Sequence, residues 1–171
     1  MRDEEDFREF AASRQKQMLR SAYLLCGDWH GAEDLVQTAF GQLYRSWRRV
    51  RRVEHPDAYA KQVLYRCHLS AGRKKRFATV PIESVPEPAA SGDGFGGGFG
   101  DGSTGVLMEA LAGLPHRARA VVVLRFWEDY SVAQTADALG VSQGTVKSQT
   151  SRALALLWAR IGDSLSDIRR D

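Results

Sequence analysis

The stretch LGVSQGTVKSQTSRALALL, Leu139 to Leu157, sets two glycines, five hydroxyl residues and two cations just ahead of an apolar repeat. Ser142 is placed to cap a helix running to about Ile161, and Gly140 to supply a left-handed turn before it. At ~100° per residue, Thr150, Ala153, Leu154 and Leu157 share the Val146 side, which reads as the core stripe. Gly144, Lys147, Ser148, Ser151 and Arg152 fall opposite. Upstream, Ser131 can cap a shorter helix from Val132 to Leu139. Two helices joined by a short glycine-containing turn form a helix-turn-helix pattern, whose second helix presents its N-terminal residues to the major groove. Lys147 and Arg152 suit guanine acceptors or phosphates, and Ser148 and Ser151 can donate to either. A polar face that only meets water is the competing reading.

Outward from this stretch, the rest of the chain also reads helical. Apolar residues at 3–4 spacing run from Phe7 through Met18 and Leu25, with Gly27 as a stop. A second stripe from about Ala32 includes Leu35, Val36, Ala39, Phe40, Leu43 and Trp47. Pro56 opens a third helix that runs into the cations Arg73 to Arg76. Val106 to Leu114 and Arg117 to Phe126 complete the pattern. The β-branched alternation of strands is absent, and Val121–Leu124 is a short apolar run inside a longer helical one. Between the halves, residues 81–105 contain eight glycines, three prolines and no cation. Such a segment buries too little apolar surface to offset its ordering entropy, so it is expected to be a flexible linker. The predicted fold is all-α, with two small helical domains, 1–80 and 106–171, on either side of linker 81–105.

At 171 residues, 43% hydrophobic and 26% charged, the composition is that of a soluble globular protein. No apolar run approaches the ~20 residues of a membrane helix, and the acidic start MRDEEDFREF has no signal core. Two cysteines, Cys26 and Cys67, make no disulfide framework, and a reducing cytoplasm is the default. The net charge of +3 is unevenly spread: +6 over residues 1–80, −4 over 81–105 and +1 over 106–171. The positive charge gathers in RSWRRVRR (Arg45 to Arg52) and RKKR (Arg73 to Arg76), which either attract a polyanion or form a solvated surface.

YSVAQTADALGVSQGTVKSQTSRALALL resembles region 4 of bacterial RNA polymerase sigma factors of the extracytoplasmic-function (ECF) group, through its Leu-Gly-x-Ser-x-Gly-Thr-Val-Lys-Ser core and the following Ser-Arg-Ala. ALAGLPHRARAVVVLRFWEDYS resembles the helices preceding that core. GDWHGAEDLVQTAFGQLYRSWRRV is similar to region 2, with its Ala-Glu-Asp-Leu-Val-Gln-x-x-Phe signature. The two motifs stand in family order, and VSQGTVKSQTSR is closest to the actinobacterial SigE-like subgroup. The resemblance implies that Lys147, Ser148, Ser151 and Arg152, with Gly144, Thr145 and Gln149 beside them, contact the minus-35 promoter element. Gln149 stands where many relatives have Arg. It also implies that Glu33, Asp34, Leu35, Val36 and Gln37 dock on the clamp helices of the largest core RNA polymerase subunit. Phe40 is assigned to the interior. Arg66, Arg73, Lys74, Lys75 and Arg76, with the aromatic rings of Tyr59, Tyr65 and Phe77, are implied to melt and read the minus-10 element. This helix departs from many relatives by carrying Arg66, Cys67, His68 and Gly72 where they have an Arg-Asn pair and a later Asp.

The implied function is an alternative sigma factor that directs promoter-specific transcription initiation in the cytoplasm. Its implied partners are core RNA polymerase (clamp helices and flap), promoter DNA and an anti-sigma factor, with no membrane and no small-molecule substrate. A polymerase-independent helix-turn-helix regulator would explain the C-terminal half but leaves the Ala-Glu-Asp-Leu-Val-Gln segment without a role. An enzyme is the third class. Cys26 with His30, or Cys67 with His68, are the only pairs that suggest a metal. No H-E-x-x-H, C-x-x-C or paired-carboxylate arrangement accompanies them, so no catalytic residue, metal or cofactor is expected.

Overall fold

The structure, a computed structural model, describes residues 2–77 and 102–168, the side chains of 75–77, 102–104 and 164–168 excepted. Eight α-helices account for the regular structure of these residues, together with one π-helical stretch. In the N-terminal half they are α1 (Arg2–Cys26), α2 (Trp29–Arg45), the single turn α3 (Trp47–Val50) and α4 (Pro56–Phe77). In the C-terminal half they are α5 (Gly102–Ala112), α6 (His116–Val122), α7 (Val132–Leu139) and α8 (Gln143–Ile168), with the π-helical stretch Val123–Trp127 following α6. The all-α, two-domain architecture read from the sequence is present. Most of the segment expected to be a linker lies outside the described residues. Its last residues belong to α5, which begins at Gly102 because burial of Ala110 and Leu111 supports a helix that the composition alone does not suggest.

Local chemistry places the helix ends. Asp28 caps α2 by accepting from the Gly31 amide at 2.6 Å, and Gly27, at φ +83°, turns the chain out of α1. That break also separates Cys26 from the helix carrying His30, so the two do not share a helical face. Asp3, Glu4 and Glu5 occupy the first turn of α1, where carboxylates are favoured by the helix dipole, and the helix starts earlier than the apolar pattern. At α7, Ser131 and Gln134 form a reciprocal capping box, with Gln134 N to Ser131 Oγ at 3.0 Å and Ser131 N to Gln134 Oε1 at 2.9 Å. Gly140 then adopts φ +66°, ψ +38°, the left-handed turn between the two helices of the motif.

The N-terminal core joins α1, α2, α3 and α4 through Met18, Ala22, Leu25, Leu35, Val36, Leu43, Val50 and Leu64. An aromatic cluster closes one end, with the Phe7 ring 6.2 Å from Phe40, 5.3 Å from Trp47 and 5.1 Å from Tyr44. Phe40, expected inside, is half-buried: it packs on this cluster but also borders the surface between α1 and α2. In the C-terminal half, α6 and α7 pack on α8 around Val121, Leu124, Ala136, Val146, Ala153 and Leu157. The halves also touch: α4 lies against α6 and α7, and α1 lies against α5 and the π-helical stretch.

Candidate nucleic-acid interface

In α8 the outward face is the one the helical wheel selects. Val146, Ala153 and Leu157 are buried, whereas Gly144, Lys147, Ser148, Ser151 and Arg152 are all exposed. Three hydroxyls are engaged locally. Ser142 Oγ accepts from the Thr145 amide at 3.1 Å, Ser148 Oγ donates to Thr145 O at 3.1 Å and Thr150 Oγ1 donates to Val146 O at 2.7 Å. Thr145 is thus half-buried in the cap, and its hydroxyl lies 2.9 Å from that of Ser142. A Cβ on Gly144 would find only Ser142 Oγ, at 3.9 Å, so packing does not demand glycine there. What glycine provides is a bare helix start that a flat surface can approach closely. Gln149 is half-buried, and its Oε1 is buried without a hydrogen-bond partner.

On α4, Tyr59, Arg66 and Arg73 recur every seven residues and share one face. Arg66, Arg73 and Lys74 are exposed, and Tyr59 is half-buried. The side chains of Lys75, Arg76 and Phe77 lie outside the described residues. Tyr65 is fully buried, and its hydroxyl donates to Glu128 Oε1 at 3.3 Å. Burial, reinforced by the Glu128 carboxylate, pushes the Tyr65 phenol well above its ordinary value, so it stays a neutral donor. In this arrangement its ring is not open to an unstacked base.

On α2, Glu33, Asp34 and Gln37 are exposed, while Leu35 and Val36 are 8% and 3% exposed. Glu33 and Gln37 sit at one edge of a groove of about 510 Å³ between α1 and α2, with Val36 and Phe40 in its floor, and Asp34 lies outside that lining. The first basic cluster is partly neutralised from within: Arg51 meets Asp3 at 2.6 Å and Asp6 at 3.4 Å, and Arg48 meets Asp3 at 3.0 Å. Arg48 and Arg51 thus pair with the acidic start of α1, while Arg48 stays exposed to solvent. Among the described residues no group of three or more His, Cys, Asp or Glu could hold a metal ion. Burial also raises the Cys67 thiol, which keeps it unreactive.

Sequence reasoning missed the groups that join the halves. Arg119, 6% exposed, donates through Nε to Leu24 O at 2.6 Å, capping the C-terminus of α1, whose own last turn has no cation. Glu128 accepts from Lys61 Nζ at 2.6 Å and from Ser21 Oγ at 2.5 Å. His68 and His116 stack at 3.6 Å. The available signal was Gly72 within an otherwise regular helix. A Cβ there would lie 2.2 Å from the His116 ring, so the glycine makes room for a residue of the other half.

Comparison with known proteins accounts for both halves. Residues 10–77 match the family model Sigma-70 region 2, and residues 104–157 match Sigma-70, region 4. The chain is 39% identical over 158 residues to the RNA polymerase sigma-E factor of Streptomyces coelicolor, covering 89% of this chain and 84% of that one. It is 32% identical over 162 residues to the ECF RNA polymerase sigma factor SigM of Mycobacterium tuberculosis, covering 91% and 77%. Its fold is similar to that of the sigma factor RpoE, solved in complex with the anti-sigma factor NepR from Bartonella quintana, at a TM-score of 0.73 and 21% identity over 92% of this chain and 97% of that one. With both regions present in order and the sigma-E factors similar along most of its length, the chain belongs to the bacterial RNA polymerase sigma factors of the ECF group.

Proposed function

We propose that the protein is an alternative sigma factor that binds core RNA polymerase and places it at a restricted set of promoters, with α8 reading the minus-35 element and α4 opening and reading the minus-10 element. The observation that carries this division of labour is the exposed face of α8: two cations, two hydroxyls and a bare glycine on the side opposite the core. Lys147 and Arg152 supply phosphate or guanine contacts, and Ser148 and Ser151 short-range hydrogen bonds. On α4, Arg66, Arg73 and Lys74, continued by Lys75 and Arg76, supply the field that holds a separated strand. Glu33 and Gln37 at the edge of the α1–α2 groove, with Asp34 exposed on the same helix, set polar groups next to an apolar floor, which suits a basic helix such as those of the polymerase clamp.

The remaining partners follow from the same reading. The protein acts in the cytoplasm, where the polymerase works, and an anti-sigma factor is an expected partner because the RpoE neighbour is solved with one. No helix among the described residues is long and apolar enough to cross a membrane. Each domain alone makes few contacts, so the residues between them matter through effective concentration.

The polymerase-independent regulator differs in one measurable respect. Mixing the purified chain with core polymerase should give a one-to-one complex on a sizing column, weakened by Asp34→Lys. A chain that binds promoter DNA but never co-elutes with core polymerase would replace the sigma reading with the regulator.

A further inference from the structure

The seam between the two halves is built from polar groups that satisfy one another, with one exception. Ser21, Lys61 and Tyr65 all donate to the Glu128 carboxylate, and the His68 and His116 rings stack while each bonds the other's backbone carbonyl. The exception is Arg119. It is 6% exposed and donates through Nε to Leu24 O at 2.6 Å, yet its Nη2 is buried without a hydrogen-bond partner. A stranded donor on a buried charged group is costlier than a neutral one, so this position favours the arrival of an acceptor.

The guanidinium lies over the last turn of α1. A Cβ on Gly27 would stand 3.4 Å from Nη2 and 3.8 Å from Nη1, and Gly27 directly follows Cys26. The turn is fixed in place: the Gly27 amide bonds to Tyr23 O at 2.8 Å, and the rings of Tyr23 and Trp29 stack across it at 4.1 Å. Burial pushes the Arg119 guanidinium below its ordinary value, while the nearby Cys26 sulfur and Asp28 carboxylate act in the opposite sense. The coupling is mutual. A cation steadied by an anionic sulfur in turn favours the thiolate, which is the nucleophilic form.

Two features work against that thiolate, and neither outweighs the guanidinium. The C-terminus of α1 carries about half an elementary negative charge, but Arg119 carries a whole positive one and already occupies Leu24 O. The Asp28 carboxylate is engaged by the Gly31 amide at 2.6 Å. Cys26 is also half-buried, within reach of a small reagent, whereas Cys67 is 6% exposed and burial raises its thiol. The two cysteines of this chain therefore differ in kind.

We propose that Cys26 is a peroxide-sensitive thiol, activated by Arg119 and held after oxidation by a hydrogen bond from Arg119 Nη2. The Cys26 thiolate attacks one oxygen of hydrogen peroxide, the O–O bond breaks, and the second oxygen leaves as hydroxide, which takes up a proton to become water. Sulfur is oxidised by two electrons to the sulfenic acid, and the peroxide is reduced. The new oxygen gives the stranded Nη2 its acceptor, so oxidation tightens the tie between α1 and α6. Cys67 is buried and unpaired with Cys26, so reversal falls to an external small-molecule thiol. The proposal does not depend on the assignment of α4 and α8 to promoter reading.

The test uses the full reduced chain, dilute hydrogen peroxide and a dimedone-type trap for sulfenic acids, with labelled peptides read by mass spectrometry. Cys26 should be trapped about tenfold or more faster than Cys67. It should also react several-fold faster in the folded chain than in the same chain unfolded by urea, because unfolding removes the guanidinium. A thiol that was merely accessible would react faster when unfolded, and that result would overturn activation. Arg119→Met should slow the trapping of Cys26 about tenfold, and Arg119→Lys should restore most of the rate. Labelling of Cys67 in either variant marks a failed fold, in which case the comparison of folded and unfolded wild type decides. Peroxide should raise the thermal midpoint of the wild type by about 2–4 °C and leave that of Cys26→Ser unchanged. A midpoint that stays or falls while Cys26 is fully oxidised would overturn the bond from Nη2.

Discussion

Replacing Glu128 tests the energetics of the seam most sharply, because one carboxylate there serves three donors. Glu128→Ala strands the Lys61 ammonium, bonded at 2.6 Å, and the hydroxyls of Ser21 and Tyr65. Breaking one side of a buried ion pair costs about 3–5 kcal/mol. Lys61 keeps 20% of its side-chain surface in water and can rehydrate, which places the loss at the low end, about 3 kcal/mol. The Tyr65 bond, at 3.3 Å, adds at most about 1 kcal/mol. Lys61→Met is the harsher change, since the carboxylate it strands is 3% exposed and cannot reach solvent; about 4 kcal/mol or more is expected. Lys61→Met with Glu128→Gln removes both charges and should recover about 2 kcal/mol relative to the sum of the single changes. At about 2–4 °C per kcal/mol for a chain of this size, Glu128→Ala lowers the thermal midpoint by roughly 6–12 °C. Helical circular dichroism of the full-length protein reads this directly, and loss of the seam should also split a single transition into two. Midpoints within about 1 °C of wild type for all three variants would refute the assignment of Glu128 as the group that joins the halves.

Three further outcomes follow from the same geometry. Lys147→Ala and Arg152→Ala should each weaken promoter binding by the reconstituted holoenzyme about tenfold, and each should reduce the log–log salt slope by about 0.9 if its contact is to phosphate. An affinity unchanged in both would place the reading face elsewhere. Deleting residues 86–101 leaves eight residues between the halves, with a reach of about 30 Å; promoter binding should fail while scattering still shows a compact particle. For pH, the Tyr65 phenol is held above its ordinary 10.0, so the folded state retains a proton that the unfolded chain has lost. The stability this represents is fully present below about pH 10 and declines as pH rises further. Urea unfolding from pH 8 to 11 should show this loss in wild type and a flatter profile in Tyr65→Phe.

What was legible in the sequence was local. Ser131, Gly140 and Ser142 announce their caps and turn because each acts within four residues, although Gln134's half of the capping box went unread. The faces of α8 follow from the helical repeat alone, which is why the wheel separated Val146 and Ala153 from Lys147 and Arg152. The family motifs added the purpose of those faces, which periodicity does not contain. The seam was illegible because it joins residues far apart in the chain: Ser21 with Glu128, Leu24 with Arg119, and His68 with His116. Tyr65 shows the cost. In a basic helix it looked like a stacking ring, yet it shares the spacing of His68, Leu69 and Gly72, the side that the C-terminal half covers. Arg48 and Arg51 make the complementary point, since only folding brings Asp3 and Asp6 beside them. Gln149, which the wheel puts on the flank of the reading face, is half-buried and lines the groove between α4 and α8.

The central claim, that this chain gives core RNA polymerase its promoter choice, is tested most directly by run-off transcription from genomic DNA with purified core enzyme and mapped start sites. The account predicts discrete transcripts that require the protein, begin downstream of a shared pair of upstream elements and fade with Lys147→Ala plus Arg152→Ala. Start sites identical with and without the protein, from a preparation that is folded and binds core polymerase, would contradict it.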